Sequence, residues 1–335
     1  MIIKKFKKKY HFKEVDKMER ANNQFCADAG GKYCPCHLAH SGDCIKCSII
    51  RGNKTCECKW QGVCIYNELE HNKRVPVEER TQVLCKVIEN IQIEKNIYFL
   101  KIKIPSYLIK DLSEPGAYVF LKDKDRESEY FNTPISVMDI DEANSILEVV
   151  IVPRGIKTKP FINCEEVIVK APYFNGIFGL KEIKSNSFNK CVIVLDGLSQ
   201  VNSLKVIKRL ARNNNHVEVF VNEDGKRLEI LEQKIKDLGV NIQYFNMNNK
   251  KEILENYIKD NDISFVYSCG LIYFNKSILK LVDRIDSNIK FAIPNNNLIC
   301  CGEGMCGACT IRLDSCRVKT CKAQMNGREF LGNLK

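Results

Sequence analysis

No stretch of this sequence approaches the ~18 apolar residues that a membrane span needs, so a transmembrane helix is not expected. The N-terminus, MIIKKFKKKYHFKE, is basic but has no apolar segment behind it, and so does not read as a secretory signal. The basic residues are not interleaved with aromatics, and no nucleic-acid-binding motif is present; no nucleic acid partner is expected. Tryptophan is almost missing, with Trp60 alone. From about residue 22 to 66 apolar periodicity is nearly absent, and such a segment cannot build a conventional core by itself.

What the chain has in quantity is sulfur. Eighteen cysteines in a chain without a secretory signal argue for metal or redox chemistry in a reducing compartment, not for a disulfide scaffold. A cytoplasmic location follows as the expectation. A length of 335 residues allows two or three domains. A hydrophobic content of 44% with 28% charged residues is ordinary for a soluble globular chain. The formal charge of +11 comes partly from the lysine-rich start, which reads as a solvated face; an acidic redox partner would be steered by such a surface.

The most specific pattern lies near the C-terminus. Cys301, Cys306, Cys309 and Cys321 are spaced C-x4-C-x2-C-x11-C, and the first three intervals match the plant-type run that holds a [2Fe–2S] cluster through four thiolates. The residues between them suit that task. Bridging sulfides need backbone N–H groups aimed at them and a chain that passes close by. Gly302, Gly304, Gly307 and Ala308 permit the approach where larger side chains would collide. A structural zinc site usually pairs two short cysteine knuckles, and only one short pair exists here. Cys300 and Cys316 fall outside the pattern and read as small buried hydrophobes, with Cys316 a substitute fourth ligand.

A second group, Cys26, Cys34, Cys36, Cys44, Cys47, Cys56, Cys58 and Cys64, fills the segment that lacks apolar periodicity. Thiolate–metal bonds would replace the missing core, with His37 and His40 as further donors. Iron–sulfur clusters and structural zinc both remain open, because the spacing fits neither the bacterial ferredoxin run nor a standard zinc finger. Trp60 is expected to pack over this small module. Residues 69–79 read as a linker.

Beyond the linker the pattern changes. Residues 81–88, 91–104, 117–121, 136–139, 146–152 and 166–170 are short runs rich in Val, Ile, Tyr and Phe. They predict antiparallel strands, and six within about a hundred residues suggest a small barrel. Residues 105–112 read as a helical turn. From residue 190 continuous apolar runs alternate with helical periodicity: strands at 191–195, 217–221, 242–245 and 263–268, helices at 203–213, 228–238, 250–259 and 276–285. That alternation predicts a doubly wound parallel sheet. Residues 289–293 lead into the cysteine loop.

This order of parts resembles the ferredoxin reductase superfamily, and within it the electron-transfer subunits of the dihydroorotate dehydrogenase B and sulfide dehydrogenase type. The resemblance covers about residues 80 to 335 and leaves out the N-terminal module. It implies a fold of the α/β plus β-barrel class. A basic N-terminus and Cys-rich metal module would span 1–78 and a small antiparallel FAD-type barrel 79–184. A doubly wound NAD-type α/β domain would span 185–294, and a [2Fe–2S] domain 295–335. It also implies FAD on the barrel, NAD(P)H on the α/β domain, and a partner flavoprotein oxidoreductase that receives single electrons.

Residue by residue the family motifs are unevenly kept. Its Arg-Pro-aliphatic-Ser flavin motif stands as Thr133-Pro134-Ile135-Ser136, without the arginine that would meet the flavin phosphates. Its G-x-G-T turn stands as Gly155-Ile156-Lys157-Thr158, with a lysine in place of one glycine. A Gly-Pro-x-Gly-Asn-Gly segment stands as Ala171-Pro172-Tyr173-Phe174-Asn175-Gly176. The glycine-rich phosphate loop is reduced to Gly197 after Asp196, while Cys269-Gly270 remains of a Cys-Gly-Pro motif. Pro134, Ile135, Ser136, Gly155, Thr158, Asn175, Gly176, Gly197, Cys269 and Gly270 are therefore the candidate cofactor contacts. FAD is expected and NAD(P)H use is doubtful. No catalytic residue is indicated. The expected function is that of an iron–sulfur flavoprotein passing electrons to a partner oxidoreductase. The alternative is a non-catalytic, redox-sensing subunit with structural metal on the same scaffold.

Overall fold

The computed structural model describes residues 25–77, 79–313 and 317–334. The N-terminal module opens with β1 (Phe25–Cys26), continues through the short helix α1 (His37–His40) and closes on α2 (Ile65–His71). Its apolar interior is small: Ala39, Cys44, Cys47, Ile65 and Leu69, with Trp60 packed against it. The Trp60 indole donates to Val63 O at 2.8 Å. Its ring lies so close to Gly30 and Gly62 that a Cβ on either would stand 2.6 and 2.4 Å from it. The expected linker does not begin at residue 69. Leu69 is buried because Ile65 and Leu69 stand four apart on α2 and share its inward face.

Six strands then close a barrel in the order β2-β3-β6-β5-β4-β7. They are β2 (Thr81–Glu94), β3 (Ile97–Lys103), β4 (Tyr118–Asp123), β5 (Thr133–Asp141), β6 (Ile146–Ile151) and β7 (Glu166–Tyr173), with α3 (Ile109–Leu112) between β3 and β4. One expectation is corrected here. The chain does not turn near residue 90: β2 runs through it, and the hairpin turns at Lys95-Asn96, where Asn96 takes φ 60°. Asparagine tolerates the left-handed conformation that a tight turn requires. The first half of β2 pairs with β7 and the second half with β3, so one long strand bends to close the barrel. Leu100, Val119, Leu121, Val137, Val149 and Val169 fill the interior.

After β8 (Ile177–Phe178) and α4 (Leu180–Ser185) come β9 (Lys190–Leu195), α5 (Leu204–Arg212), β10 (His216–Asn222), α6 (Glu229–Asp237) and β11 (Asn241–Phe245). Then follow α7 (Lys251–Asp260), β12 (Ile263–Cys269), α8 (Ile272–Ile285) and β13 (Lys290–Pro294). The sheet order is β11-β10-β9-β12-β13-β8, parallel except for the antiparallel edge strand β8. This is the doubly wound order, and its switch point falls between β9 and β12. One face of the sheet shares a core with the barrel residues Ile97, Phe99 and Met138. The other face packs on the C-terminal segment, β14 (Thr310–Arg312), β15 (Arg317–Lys319), β16 (Ala323–Gln324) and α9 (Gly327–Asn333). β1 pairs with β16, which docks the N-terminal module on the C-terminal segment. No helix among the described residues is long and apolar enough to cross a membrane.

Candidate functional site

The cysteine loop begins where β13 ends. Asn295 is buried, and its amide donates to Asn175 O and Thr320 O, both at 2.8 Å. Asn175 in turn donates to Thr320 O at 2.6 Å and Ala323 O at 2.9 Å. Two buried asparagines thus pin the outgoing and returning arms of the loop to the end of the barrel. Asn175 is fully buried in this role, and Gly176 is required beside it because a Cβ there would stand 2.7 Å from Gly116 O.

Within the loop Gly302, Gly304 and Gly307 all take positive φ, between 69° and 76°. This conformation turns successive N–H groups to one side, and the Glu303 N–H donates to Cys301 Sγ at 3.3 Å. The returning arm brings Cys321 to Cys309, sulfur to sulfur at 3.1 Å. Thr320 ties the same residues through its N–H to Cys309 O. The shared hydrogen bond holds the Cys309 thiol down and pushes the Cys321 thiol up. Cys301 lies close enough to act electrostatically on Cys321. Cys306 is exposed, as are Met305 and Cys300. Exposure of Cys300 corrects the expectation that it is buried: Ile299 takes the inward position, and alternation turns its two neighbours outward. Cys316 lies outside the described residues. As they stand, no three His, Cys, Asp or Glu side chains among the described residues are gathered as a metal ligand set. What is in place is the cradle: left-handed glycines, an inward N–H, and thiols brought together from the two arms.

A wall of aromatic rings backs the loop. Tyr118, Phe120 and Tyr173 pack on one another at ring separations of 4.8 to 5.9 Å and on Cys309, Cys321 and Ile299. Behind the wall lies a quartet of buried charges. The Arg80 guanidinium donates to both Glu303 oxygens at 2.7 and 2.8 Å and to Asp28 at 2.8 Å. Lys322 pairs with the same two carboxylates. Arg80 is also sandwiched between the Tyr33 and Tyr173 rings, at 4.4 and 4.3 Å from their centres. Burial alone would raise the Asp28 and Glu303 carboxyls, but Lys322 and Arg80 outweigh it and hold both below the ordinary carboxylate range. Two anions and two cations balance, which is the condition for burying such groups at all. Sequence reasoning missed this quartet. Arg80 and Glu303 are 223 residues apart, and no local pattern links them.

Apart from Asn175 and Gly176, the candidate cofactor residues fall into two places. Pro134, Ile135 and Ser136 lie on β5 opposite Phe120, Val119 and Tyr118. Nearby, Lys157 stands over the exposed Tyr130 ring at 4.2 Å and Arg126 over Phe131 at 4.8 Å. Gly155 and Thr158 form a turn in which the Thr158 hydroxyl accepts from Arg154 N and Gly155 N. Gly197 and Cys269 meet instead at the sheet's switch point, where Asp196 N donates to Cys269 O at 3.0 Å and the Cys269 thiol to Ser199 O at 2.7 Å. Gly270 packs so tightly on Phe274 that a Cβ would stand 2.4 Å from its ring. The loop after β9 is occupied by its own side chains. Buried Gln200 donates to Gly197 O and Lys226 O, and Asp196 accepts from Asn222.

No family model matches the chain. It is 25% identical over 249 residues to the dihydroorotate dehydrogenase B (NAD(+)) electron transfer subunit of Clostridium acetobutylicum, covering 74% of this chain and 94% of that protein. It is 24% identical over 243 residues to the subunit of the same name from Fusobacterium nucleatum, covering 68% and 88%. Among solved structures it superposes on an NADH-dependent reduced ferredoxin-NADP oxidoreductase with a TM-score of 0.58 at 15% identity, covering 75% of this chain and 93% of that one. The closed antiparallel barrel joined to a 3-2-1-4-5 parallel sheet gives the chain the ferredoxin-reductase-like fold, and over most of its length the chain is similar to dihydroorotate dehydrogenase B electron transfer subunits.

Proposed function

We propose that the chain is an electron-transfer subunit of an oxidoreductase, binding a [2Fe–2S] cluster through Cys301, Cys306, Cys309 and Cys321 and a flavin on the barrel. The observation that carries this reading is the cysteine loop: three left-handed glycines, an N–H on the Cys301 sulfur, and Cys309 in contact with Cys321. This donor set and cradle fit an iron–sulfur cluster. The aromatic wall would keep water from the Cys309 and Cys321 side. The exposed Met305 and Cys306 present the opposite edge to a partner oxidoreductase. The relatives are named as subunits of a dehydrogenase, which supports a partner that carries the substrate site.

The barrel residues fit a flavin dinucleotide through charge. Lys157 and Arg126, held over Tyr130 and Phe131, supply the cations that the missing arginine would have brought. A bound flavin exchanges two electrons with a hydride donor and one at a time with a metal cluster. The switch-point loop does not fit a nicotinamide dinucleotide. A pyrophosphate needs bare, converging N–H groups, and here Gln200 bonds across the loop and Asp196 sets a carboxylate at its start, bonded to Asn222. Contact between that carboxylate and a phosphate would cost ~1–4 kcal/mol.

Iron, sulfide and flavin analysis of anaerobically purified protein tests the reading, with EPR of the dithionite-reduced state. Two sulfides, at least two irons and a flavin band are expected, with the signal lost in Cys321→Ser and kept in Cys316→Ser; a colourless wild-type chain overturns it. Stopped-flow mixing with NADH or NADPH should bleach the flavin slowly or not at all. Rapid bleaching at micromolar nucleotide would mean that the switch-point loop opens.

A further inference from the structure

The eight cysteines of the N-terminal module are not equivalent in space. Cys26, Cys34, Cys36 and Cys44 line one small cavity, spaced C-x7-C-x-C-x7-C, while Cys47, Cys56, Cys58 and Cys64 are not on its lining. In the second set Cys56 and Cys64 are exposed, and Cys56 and Cys58 stand 3.5 Å apart on one extended segment. We propose that Cys26, Cys34, Cys36 and Cys44 hold a single thiophilic ion, iron or zinc, as a tetrathiolate centre. The inference rests on the reading of the module as metal-bound, and not on the flavin or the C-terminal cluster.

Three features of the cavity favour ligation over ordinary packing. Its backbone is arranged for sulfur that carries charge. The N–H of Cys47 donates to Cys44 Sγ at 3.3 Å. Next, the rest of the lining is largely apolar, with Leu38, Ala39 and Ile65 beside the charged Asp28 and Lys46. A coordinating thiol is deprotonated outright, and a bound cation offsets the burial of the charge it leaves. Finally, a cation stands beside the charge that results. A divalent ion and four thiolates carry a net charge of about −2 after four protons leave to the buffer. Buried Lys46 is on the lining, and the Asp28 carboxylate there is already balanced by Lys322 and Arg80.

Size selects the occupant. The centre of a water-sized body can occupy only about 10 Å³ of the cavity, so it admits about one such body. That suits one tetrahedral ion and not a four-iron cluster. The sulfurs surround the space without yet converging on one point, so ligation takes rotation of the thiols into it.

Metal analysis of the full-length chain and its variants is the test. Cys36→Ser should lose one ion per chain relative to wild type, whereas Cys56→Ser should keep it. The C-terminal EPR signal, retained in Cys36→Ser, shows that the variant is folded. Zinc or iron in the difference identifies the ion. Should Cys36→Ser fail to fold, wild-type chain produced with cobalt must show the intense visible and sulfur-to-metal absorption of tetrahedral cobalt tetrathiolate. Equal metal in wild type and Cys36→Ser, loss of the same ion in Cys56→Ser, or a cobalt chain without that absorption each overturns the proposal. A wild-type chain lacking the C-terminal signal but losing one ion in Cys36→Ser would sink the electron-transfer reading and leave this one standing.

Discussion

Gly302 and Gly307 are both left-handed, yet the residues around them differ. A Cβ on Gly302 would stand 2.5 Å from the Tyr173 ring and 2.8 Å from Phe120, while one on Gly307 would meet nothing within 4 Å. Gly307→Ala therefore carries only the left-handed penalty, about 1–2 kcal/mol. Gly302→Ala adds overpacking against the aromatic wall, typically about 1–3 kcal/mol. The expected outcome is a larger fall in cluster occupancy and melting temperature for Gly302→Ala than for Gly307→Ala, read by EPR spin count and thermal unfolding. Equal losses would show that backbone conformation alone governs the loop. The glycines themselves were legible from spacing. Which of them is sterically locked was not, because Tyr173 and Phe120 come from distant strands of the barrel.

At the scale of elements, α5 carries a feature that its apolar periodicity conceals. Lys205 is buried between the sheet and the barrel, and its ammonium donates to Leu112 O at 3.0 Å and Ala117 O at 3.1 Å. Burial holds it down, to about 7, against the opposing pull of Asp139 and Glu114. Those carboxylates are themselves shared, Asp139 with Lys208 and Lys234, Glu114 with Lys184 and Arg209. In the unfolded chain Lys205 titrates near ~10.4. Between the two values the unfolded chain holds the proton and the folded one does not, so unfolding takes up a proton and stability rises with pH. Below about 7 the cost of the buried charge is fully present. Denaturant unfolding of wild type and Lys205→Met from pH 6 to 9 should show a difference that shifts in favour of wild type above neutrality, by at most about 1.4 kcal/mol per pH unit. A difference that stays flat over that range counts against the assignment. The periodicity placed α5 correctly. It could not show that a lysine points inward, since that depends on carbonyls 88 and 93 residues away.

In the whole molecule, the N-terminal module and the cysteine loop are held together by β1 against β16, by Leu38 against Gly304 and by the buried quartet. Arg80→Leu leaves Asp28 and Glu303 with Lys322 alone, one buried negative charge uncompensated, at a cost of about 3–5 kcal/mol. The module should then become cleavable by trypsin within residues 25–77 while the barrel stays intact. Resistance equal to wild type would mean that β1 and Leu38 suffice. The amino-acid sequence by itself determined the order of parts. Alternating apolar runs dictate buried parallel strands, short β-branched runs dictate the barrel, and cysteine spacing with interleaved glycine dictates a close-fitting loop, because each of these is written in nearest neighbours along the chain. Only the tertiary structure decided that the module docks on that loop, that four of its eight thiols share a cavity, and that Gln200 fills the switch-point turn. Those outcomes depend on charge balance and close packing between residues far apart in the chain, 294 positions for Asp28 and Lys322, and nothing local in the chain records them.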